Sequence, residues 1–185
     1  MKLLRLPVSG VQTRHLLGQA RWQTDHTPTV PVVAHAIRTC KMLGWSIEMV
    51  CCIYPAGPFI EIDDLKGALA LLNRLGGDYC FPIAEFSSAI QRALKRDGAG
   101  HMQPFYPQYE LARTQDLDRA FYDAGQFCWG AKRAWLNNPR VHSSAVGYRI
   151  PSWRVVDIDK GDDRDRAERM YQAFFGGSGD LTKGG

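Results

Sequence analysis

Apolar positions along this chain alternate between a helical period and short continuous runs. Val30, Val33, Ala34, Ile37 and Leu43 recur at helical spacing, Pro31 is tolerable in a first turn, and Gly44 is placed to stop the helix. The run Ser46-Ile-Glu-Met-Val-Cys-Cys-Ile-Tyr54 is nearly all apolar from Met49 onward, which predicts a strand covered on both faces in a parallel sheet. Pro55-Ala-Gly-Pro58 then makes a sharp loop. Asp63 or Asp64 is placed to cap a helix over residues 65–75, ended by Gly76-Gly77, and residues 79–83 predict a second strand. This helix–strand–helix–strand alternation predicts a doubly wound α/β sheet, in which ligands sit beyond the carboxyl ends of the strands.

The second half is less regular. Asp97-Gly-Ala-Gly100 predicts a hairpin, residues 105–110 an aromatic covering loop, and residues 123–129 a strand followed by a helix over 131–136. Residues 146–150 suit a further strand. Residues 154–158 alternate as a half-buried strand, Lys160-Gly161 break it, and Asp162 or Asp163 can cap a helix over 164–174. Asp157 and Asp159 stand two apart, a spacing that sends both carboxylates to one face of a strand. Such a pair either stays solvated in an Asp-rich turn or shares a cation. Mg²⁺ suits it, since that ion takes hard oxygen ligands and keeps places for water or phosphate.

Composition narrows the class. The 185 residues are 45% hydrophobic and 23% charged, ordinary for one soluble globular domain, and no internal repeat is present. A net charge of +4 fits an anionic substrate or a nucleotide, without the basic block of a nucleic-acid groove. The five cysteines form no C-x-x-C pair and read as reduced, buried thiols of a cytoplasmic protein; Cys51 and Cys52 read as packed strand residues. The histidines show no zinc spacing, and His35 reads as a core or boundary residue of its helix. Trp129, Trp135 and Trp153 read as core or dimer aromatics rather than stacking platforms. No apolar run approaches the ~20 residues of a membrane span, and the first seven residues do not make a signal peptide.

Several stretches together carry a resemblance. In order they are Asp25-His-Thr-Pro-Thr29, Val32-Val-Ala-His-Ala-Ile37, Cys52-Ile-Tyr-Pro-Ala-Gly-Pro-Phe59, Gln91-Arg-Ala-Leu94, Arg113-Thr-Gln-Asp-Leu117, Asp123-Ala-Gly-Gln-Phe127 and Val156-Asp-Ile-Asp159. In motif, order and spacing, residues 25–174 resemble the acylneuraminate cytidylyltransferases, most closely those acting on pseudaminic acid. The resemblance implies a Rossmann-like, doubly wound sheet of the nucleotide-diphospho-sugar transferase type, with a small extension that helps form a homodimer. It implies transfer of CMP from CTP to the anomeric hydroxyl of a nine-carbon α-keto (nonulosonic) sugar acid, with release of pyrophosphate and a requirement for Mg²⁺. Asp157 and Asp159 fall on the metal-holding motif. Arg113 falls where an arginine meets the sugar acid, Gln126 and Tyr54 on the sugar side of the cleft, and Thr27 and Thr29 near the nucleotide. Gln91 can touch the sugar or simply edge the sheet. Cys128 stands where the family usually carries tyrosine, Lys160 where it carries threonine, and Ala56-Gly57 where it carries threonine–alanine.

The start departs most from that pattern. The family opens with a strand and a basic, glycine-rich loop that cradles the CTP phosphates, and residues 1–24 contain no such loop. Read one nucleotide earlier, the codons of Trp22-Gln23-Thr24 permit leucine–alanine–aspartate, as in the family, and the same shift permits a family-like helix–strand–loop back to Met1. Residues 1–24 therefore read as a frame-shifted leader, residues 25–175 as a partial cytidylyltransferase domain without the first strand and phosphate loop, and residues 176–185 as a flexible tail. The alternative for this polypeptide is a catalytically dead fragment that only dimerises or binds the sugar acid. A nucleotide-sugar glycosyltransferase also uses paired aspartates, but the Arg113 and Asp123 stretches argue against it.

Overall fold

A computed structural model of the chain describes residues 28–55, 57–156, 158 and 161–175. In chain order its elements are α1 (Thr29–Met42), β1 (Met49–Ile53), α2 (Ile62–Leu75), β2 (Tyr79–Glu85), β3 (Leu94–Arg96), β4 (Met102–Pro104), β5 (Phe121–Asp123), β6 (Phe127–Ala131), α3 (Lys132–Asn137), β7 (Ala145–Arg149) and α4 (Gly161–Phe175). Residues 1–24, expected as a leader, residues 176–185, expected as a tail, and Asp157 and Asp159 lie outside the described residues.

The fold is mixed α/β. The sheet is also mixed in direction, which corrects the expected parallel arrangement. Among the described residues the hydrogen-bonded neighbour of β1 is β6, antiparallel, with Cys52 opposite Cys128. β6 also runs antiparallel to β2, placing Cys80 opposite Trp129, while β7 lies parallel to β2. β1, β2 and β7 therefore point one way, with β6 reversed between the first two. An apolar run such as residues 49–54 reports that both faces are covered, but not which way the neighbour runs.

β5 and β6 are one strand broken by a bulge. Three steps along β2, from Cys80 to Ile83, correspond to six along its partner, from Trp129 to Asp123. Gly125, with φ +63°, takes up the excess, since a left-handed backbone costs glycine little. Both sides of the bulge stay paired: the Ala124 amide donates to the Pro82 carbonyl at 2.9 Å, and the Tyr54 amide to the Gln126 carbonyl at 2.9 Å.

Helices cover both faces. Val33 and Ile37 of α1 and Trp135 of α3 pack with Val50, Cys52, Tyr79, Phe81 and Cys128 on one side. Leu65, Ala68 and Leu72 of α2 pack with Cys51, Cys80, Phe127 and Trp129 on the other. The alternation of Cys51 and Cys52 between these clusters is the period of a strand, and each large side chain so buried contributes about 1.5–3 kcal/mol. The buried tryptophans are also tied by their N–H groups, Trp129 to the Leu65 carbonyl at 2.9 Å and Trp135 to the Val50 carbonyl at 3.3 Å. A third, small cluster of Phe59, Val156 and Ala167, with Ile158 and Met170 against it, holds α4 to the loop after β1.

Local expectations met mixed outcomes. Gly44 and Gly76 do end α1 and α2 with positive φ. The hairpin at Asp97 is β3–β4, its turn held by Asp97 Oδ1, which accepts from the amides of Ala99 and His101. Two caps were misplaced. α2 begins at Ile62 with Glu61 at its N-cap, so Asp63 and Asp64 lie inside its first turn, and α4 begins at Gly161. The expected strand over residues 154–158 is not seen among the described residues: a 3₁₀ turn, Ser152–Arg154, is followed by Val155 and Val156 in irregular chain. Pro151 starts that turn, and the Arg154 side chain is drawn inward to α2. The aromatic residues of 105–110 cover no core; Phe105, Tyr106 and Tyr109 are exposed.

Candidate functional site

The topology gathers the motif-bearing segments at one end of the sheet. The carboxyl ends of β1, β2 and β7 lead into residues 54–60, 86–92 and 150–156, and the bulge between β5 and β6 meets them there. Ligands of α/β sheets bind at such an end.

Tyr54 follows the last residue of β1, and its side chain is half-buried. Burial pushes its phenol well above the ordinary range, with Cys128 and Cys52 nearby acting in the same direction and a hydrogen bond with Thr29 opposing them. Tyr54 is therefore a neutral hydrogen-bonding group at working pH. Thr29 opens α1, so this hydrogen bond joins two of the sequence-predicted residues. Thr27 lies outside the described residues.

Gln126 sits in the bulge and is 1% exposed. Its Nε2 donates to the Arg154 carbonyl at 2.7 Å, and its Oε1 is buried without a partner. The carbonyl can only accept, so it fixes which end of the amide is which. Gln91 is arranged similarly: Nε2 donates to the Asp118 carbonyl at 3.0 Å and Oε1 is buried and unpartnered. Among the described residues these are the buried side-chain polar atoms left without a partner, and both belong to residues singled out from the sequence. Each orphan costs about 1–3 kcal/mol unless something arrives to satisfy it.

Arg113 lies further out. It is exposed and precedes the 3₁₀ turn Thr114–Asp116, in the arm of residues 86–120 between β2 and β5. Two of the arm's 3₁₀ turns, Ile90–Arg92 and Thr114–Asp116, touch where Arg92 Nη1 donates to Thr114 Oγ1 at 3.4 Å. A cavity of about 540 Å³ opens beside them, lined by Phe86, Ser87, Arg92 and Thr114 among others. A neighbouring cavity of about 720 Å³ lies between the ends of β2 and β7 and shares Phe86 and Ser87.

Sequence reasoning missed Arg154 and Asp64. Arg154 is 6% exposed and Asp64 5%. Arg154 Nη1 donates to Asp64 Oδ2 at 2.6 Å and Nη2 to Oδ1 at 3.1 Å, and Glu61 adds a contact at 2.8 Å. With the Gln126 amide on its carbonyl, Arg154 ties α2, the bulge and the segment before Asp157 into one node. No local signal marks such a pair, because its members look like a helix-cap carboxylate and a surface arginine.

Cys128, which departs from the family's tyrosine, is 1% exposed and lies in the core opposite Cys52. Gly57 stands in a tight place: a Cβ there would come 3.1 Å from the Ile60 side chain and 3.3 Å from the Gln126 Cα, so those neighbours would have to give by a few tenths of an ångström. Among the described residues no group of three or more His, Cys, Asp or Glu side chains could hold a metal. No helix among them is long and apolar enough to cross a membrane.

No family model matches the chain. It is 30% identical over 151 residues to the pseudaminic acid cytidylyltransferase of Campylobacter jejuni serotype O:2, covering 80% of this chain and 64% of that protein. It is 29% identical, with the same coverage, to the pseudaminic acid cytidylyltransferase of Campylobacter jejuni serotype O:23/36. A Helicobacter pylori protein named pseudaminic acid cytidylyltransferase and UDP-2,4-diacetamido-2,4,6-trideoxy-beta-L-altropyranose hydrolase is 26% identical over 136 residues, covering 72% of this chain and 26% of the relative. The chain thus spans 64% of the length of the two Campylobacter proteins. These similarities support a relationship of the chain to the cytidylyltransferases.

Proposed function

We propose that this chain transfers CMP from CTP to the anomeric hydroxyl of a nonulosonic sugar acid, pseudaminic acid being the first substrate to try. The hydroxyl oxygen attacks the α-phosphorus, the bond to the β-phosphate breaks, and pyrophosphate leaves while the hydroxyl loses its proton. The observation that carries this reading is the convergence of Tyr54, Thr29 and Gln126 at the ligand end of the sheet, with two buried amide oxygens awaiting donors. A polyhydroxylated sugar supplies such donors. Arg113, exposed at the mouth of the arm, is placed for the carboxylate of the sugar acid.

Asp157 and Asp159 would hold Mg²⁺. Two carboxylates are the hard-oxygen donors that this ion takes, and bound Mg²⁺ would neutralise charge on the triphosphate. Thr27 belongs to the nucleotide side in this reading. The mixed sheet would be part of the doubly wound sheet of the nucleotide-diphospho-sugar transferases. The arm bears exposed Leu94, Met102, Phe105 and Leu111, which suit a homodimer contact. A cytoplasmic location suits the five free, buried thiols.

Pyrophosphate release from CTP, Mg²⁺ and pseudaminic acid tests the reading. Release that requires all three is the expected result. Binding of the sugar acid without any release would instead favour the fragment that only binds or dimerises.

A further inference from the structure

Arg154 is held by its backbone and its side chain at once. Its amide donates to the Pro151 carbonyl at 3.0 Å, closing the 3₁₀ turn. Its carbonyl accepts from Gln126 Nε2 at 2.7 Å. Its guanidinium grips Asp64 through two hydrogen bonds, of 2.6 and 3.1 Å, and meets Glu61 at 2.8 Å. Four segments thus meet on one residue: the turn after β7, the bulge before β6, the start of α2 and the chain that leads on to Asp157.

Stability alone does not account for this arrangement. Glu61 is the N-cap of α2 and Asp64 lies in its first turn. The guanidinium therefore sits at the positive end of the helix dipole, the unfavourable end for a cation. Both partners are also buried, and desolvation consumes most of what their attraction returns. The unpartnered Gln126 Oε1 adds a further cost in the same place. What such a pair supplies is direction. A planar guanidinium bonded twice to one carboxylate allows a single orientation, where apolar side chains of the same size allow several. That direction passes to two parts of the candidate site. A fixed carbonyl can only accept, so the Gln126 amide cannot turn over and Oε1 stays its free end. Beyond Arg154 the chain is buried again at Val156, against Phe59 and Ala167, and Asp157 follows in the sequence.

We propose that Asp64 and Arg154 are positioning residues: through this double hydrogen bond α2 sets the direction in which residues 154–156 enter the site and the way the Gln126 amide faces. Both side chains act through their neighbours and not on the ligand. This rests on the nucleotidyl-transfer reading given above and adds to that site a supporting pair that its motif stretches do not contain. Packing alone then restores the fold but not the site, because a group held in place but slightly misdirected still costs rate.

Two variants separate positioning from packing. Arg154→Met with Asp64→Leu keeps volume and burial without a directed bond, and Arg154→Lys keeps the charge without the planar fork. Arg154→Lys decides the matter if the double variant fails to fold. One readout is exchange of the Gln126 side-chain amide with water, followed by NMR on the full chain labelled at glutamine, the signal being assigned by its loss in Gln126→Leu. The other is the kinetics of pyrophosphate release from CTP, Mg²⁺ and pseudaminic acid. In each variant that folds, amide exchange should be at least about tenfold faster than in the parent. There kcat should be at least about tenfold lower, with KM for CTP within about twofold. A pair with a merely structural role would return both to parent values once the double variant regains its stability. Parent-like exchange or parent-like kcat in a folded variant overturns the positioning role and leaves the transfer reading standing. If the parent itself releases no pyrophosphate, that reading fails, and the exchange rates alone decide whether the pair orients Gln126.

Discussion

Arg154 and Asp64 are 90 residues apart in sequence and meet through two hydrogen bonds inside the fold. A buried pair of this kind adds little net stability over apolar packing, but breaking it strands a charge. Asp64→Ala should therefore destabilise the chain by about 3–5 kcal/mol, read from urea unfolding. Replacing both members together, as in Arg154→Met with Asp64→Leu, should restore much of the loss. A single variant as stable as the parent would show that the pair is not desolvated.

Gly130 is the point of closest approach between β6 and the aromatic core. A Cβ there would lie 2.5 Å from Trp135 Nε1 and 2.7 Å from Tyr79 Cδ1. Both rings are buried and packed edge to face at 4.9 Å, so neither has room to yield. Gly130→Ala is expected to cost about 1–3 kcal/mol, seen as a lower midpoint with an unchanged slope in denaturant. Gly98→Ala, where a Cβ meets nothing within 4 Å, is the control and should leave the midpoint in place.

The buried thiols give the chain an alkaline weakness. Burial pushes Cys52 and Cys80 up from 9.0 to about 11. Between those values the unfolded chain has released protons that the folded chain still holds, so stability falls as pH rises. Below the ordinary thiol value the contribution is fully present. Burial likewise raises Tyr79 from 10.0 to about 12, which extends the decline. Unfolding midpoints should drop steadily from about pH 9 upward, and a Cys80→Ala variant should drop less. For the same reason iodoacetamide at neutral pH should label the unfolded chain quickly and the native one slowly.

Thr29 and Tyr54 connect the start of α1 to the end of β1. Tyr54→Phe removes the hydroxyl of that hydrogen bond and should cost about 0.5–1.5 kcal/mol in stability. If the hydroxyl also serves the substrate, sugar-acid affinity in Tyr54→Phe will fall by more than it does in Thr29→Val. Equal effects from both variants would confine Tyr54 to structure.

Mg²⁺ withdrawal tests the paired aspartates. On the function proposed above, EDTA should abolish pyrophosphate release and added Mg²⁺ restore it. Asp159→Asn should show no release at any Mg²⁺ concentration while folding normally by circular dichroism. Activity in EDTA-treated protein would remove the metal from the reaction.

Much of this was legible in the sequence because it is local. The spacing of Val33 and Ile37, the apolar run of β1 and the positions of Gly44 and Gly76 fixed where α1, β1 and α2 lie, since each signal sits inside the element it predicts. Direction was not legible. Nothing within residues 127–131 reveals that β6 runs against β1 and β2, because a strand buried on both faces reads the same either way. The 3₁₀ turn at Ser152–Arg154 was hidden for a related reason. Arg154 looks like an outward strand residue until Asp64 appears beside it. The candidate residues themselves were found through motif order, while their geometry, such as the two unpartnered amide oxygens, depends on contacts between distant segments.

The residue pair that closes the arm carries a further consequence. Glu85 and Phe121 are register partners at the edge where β2 meets β5, so the chain leaves the sheet and returns to it at adjacent points. Everything between them is topologically a detachable cartridge. Its length and sequence can drift, or be exchanged wholesale for a tight turn, without altering the order or direction of any strand of the five-stranded sheet. Of the candidate site residues, Gln91 and Arg113 can therefore vary with the arm, while Tyr54, Thr29 and Gln126 are tied to the sheet and its helix.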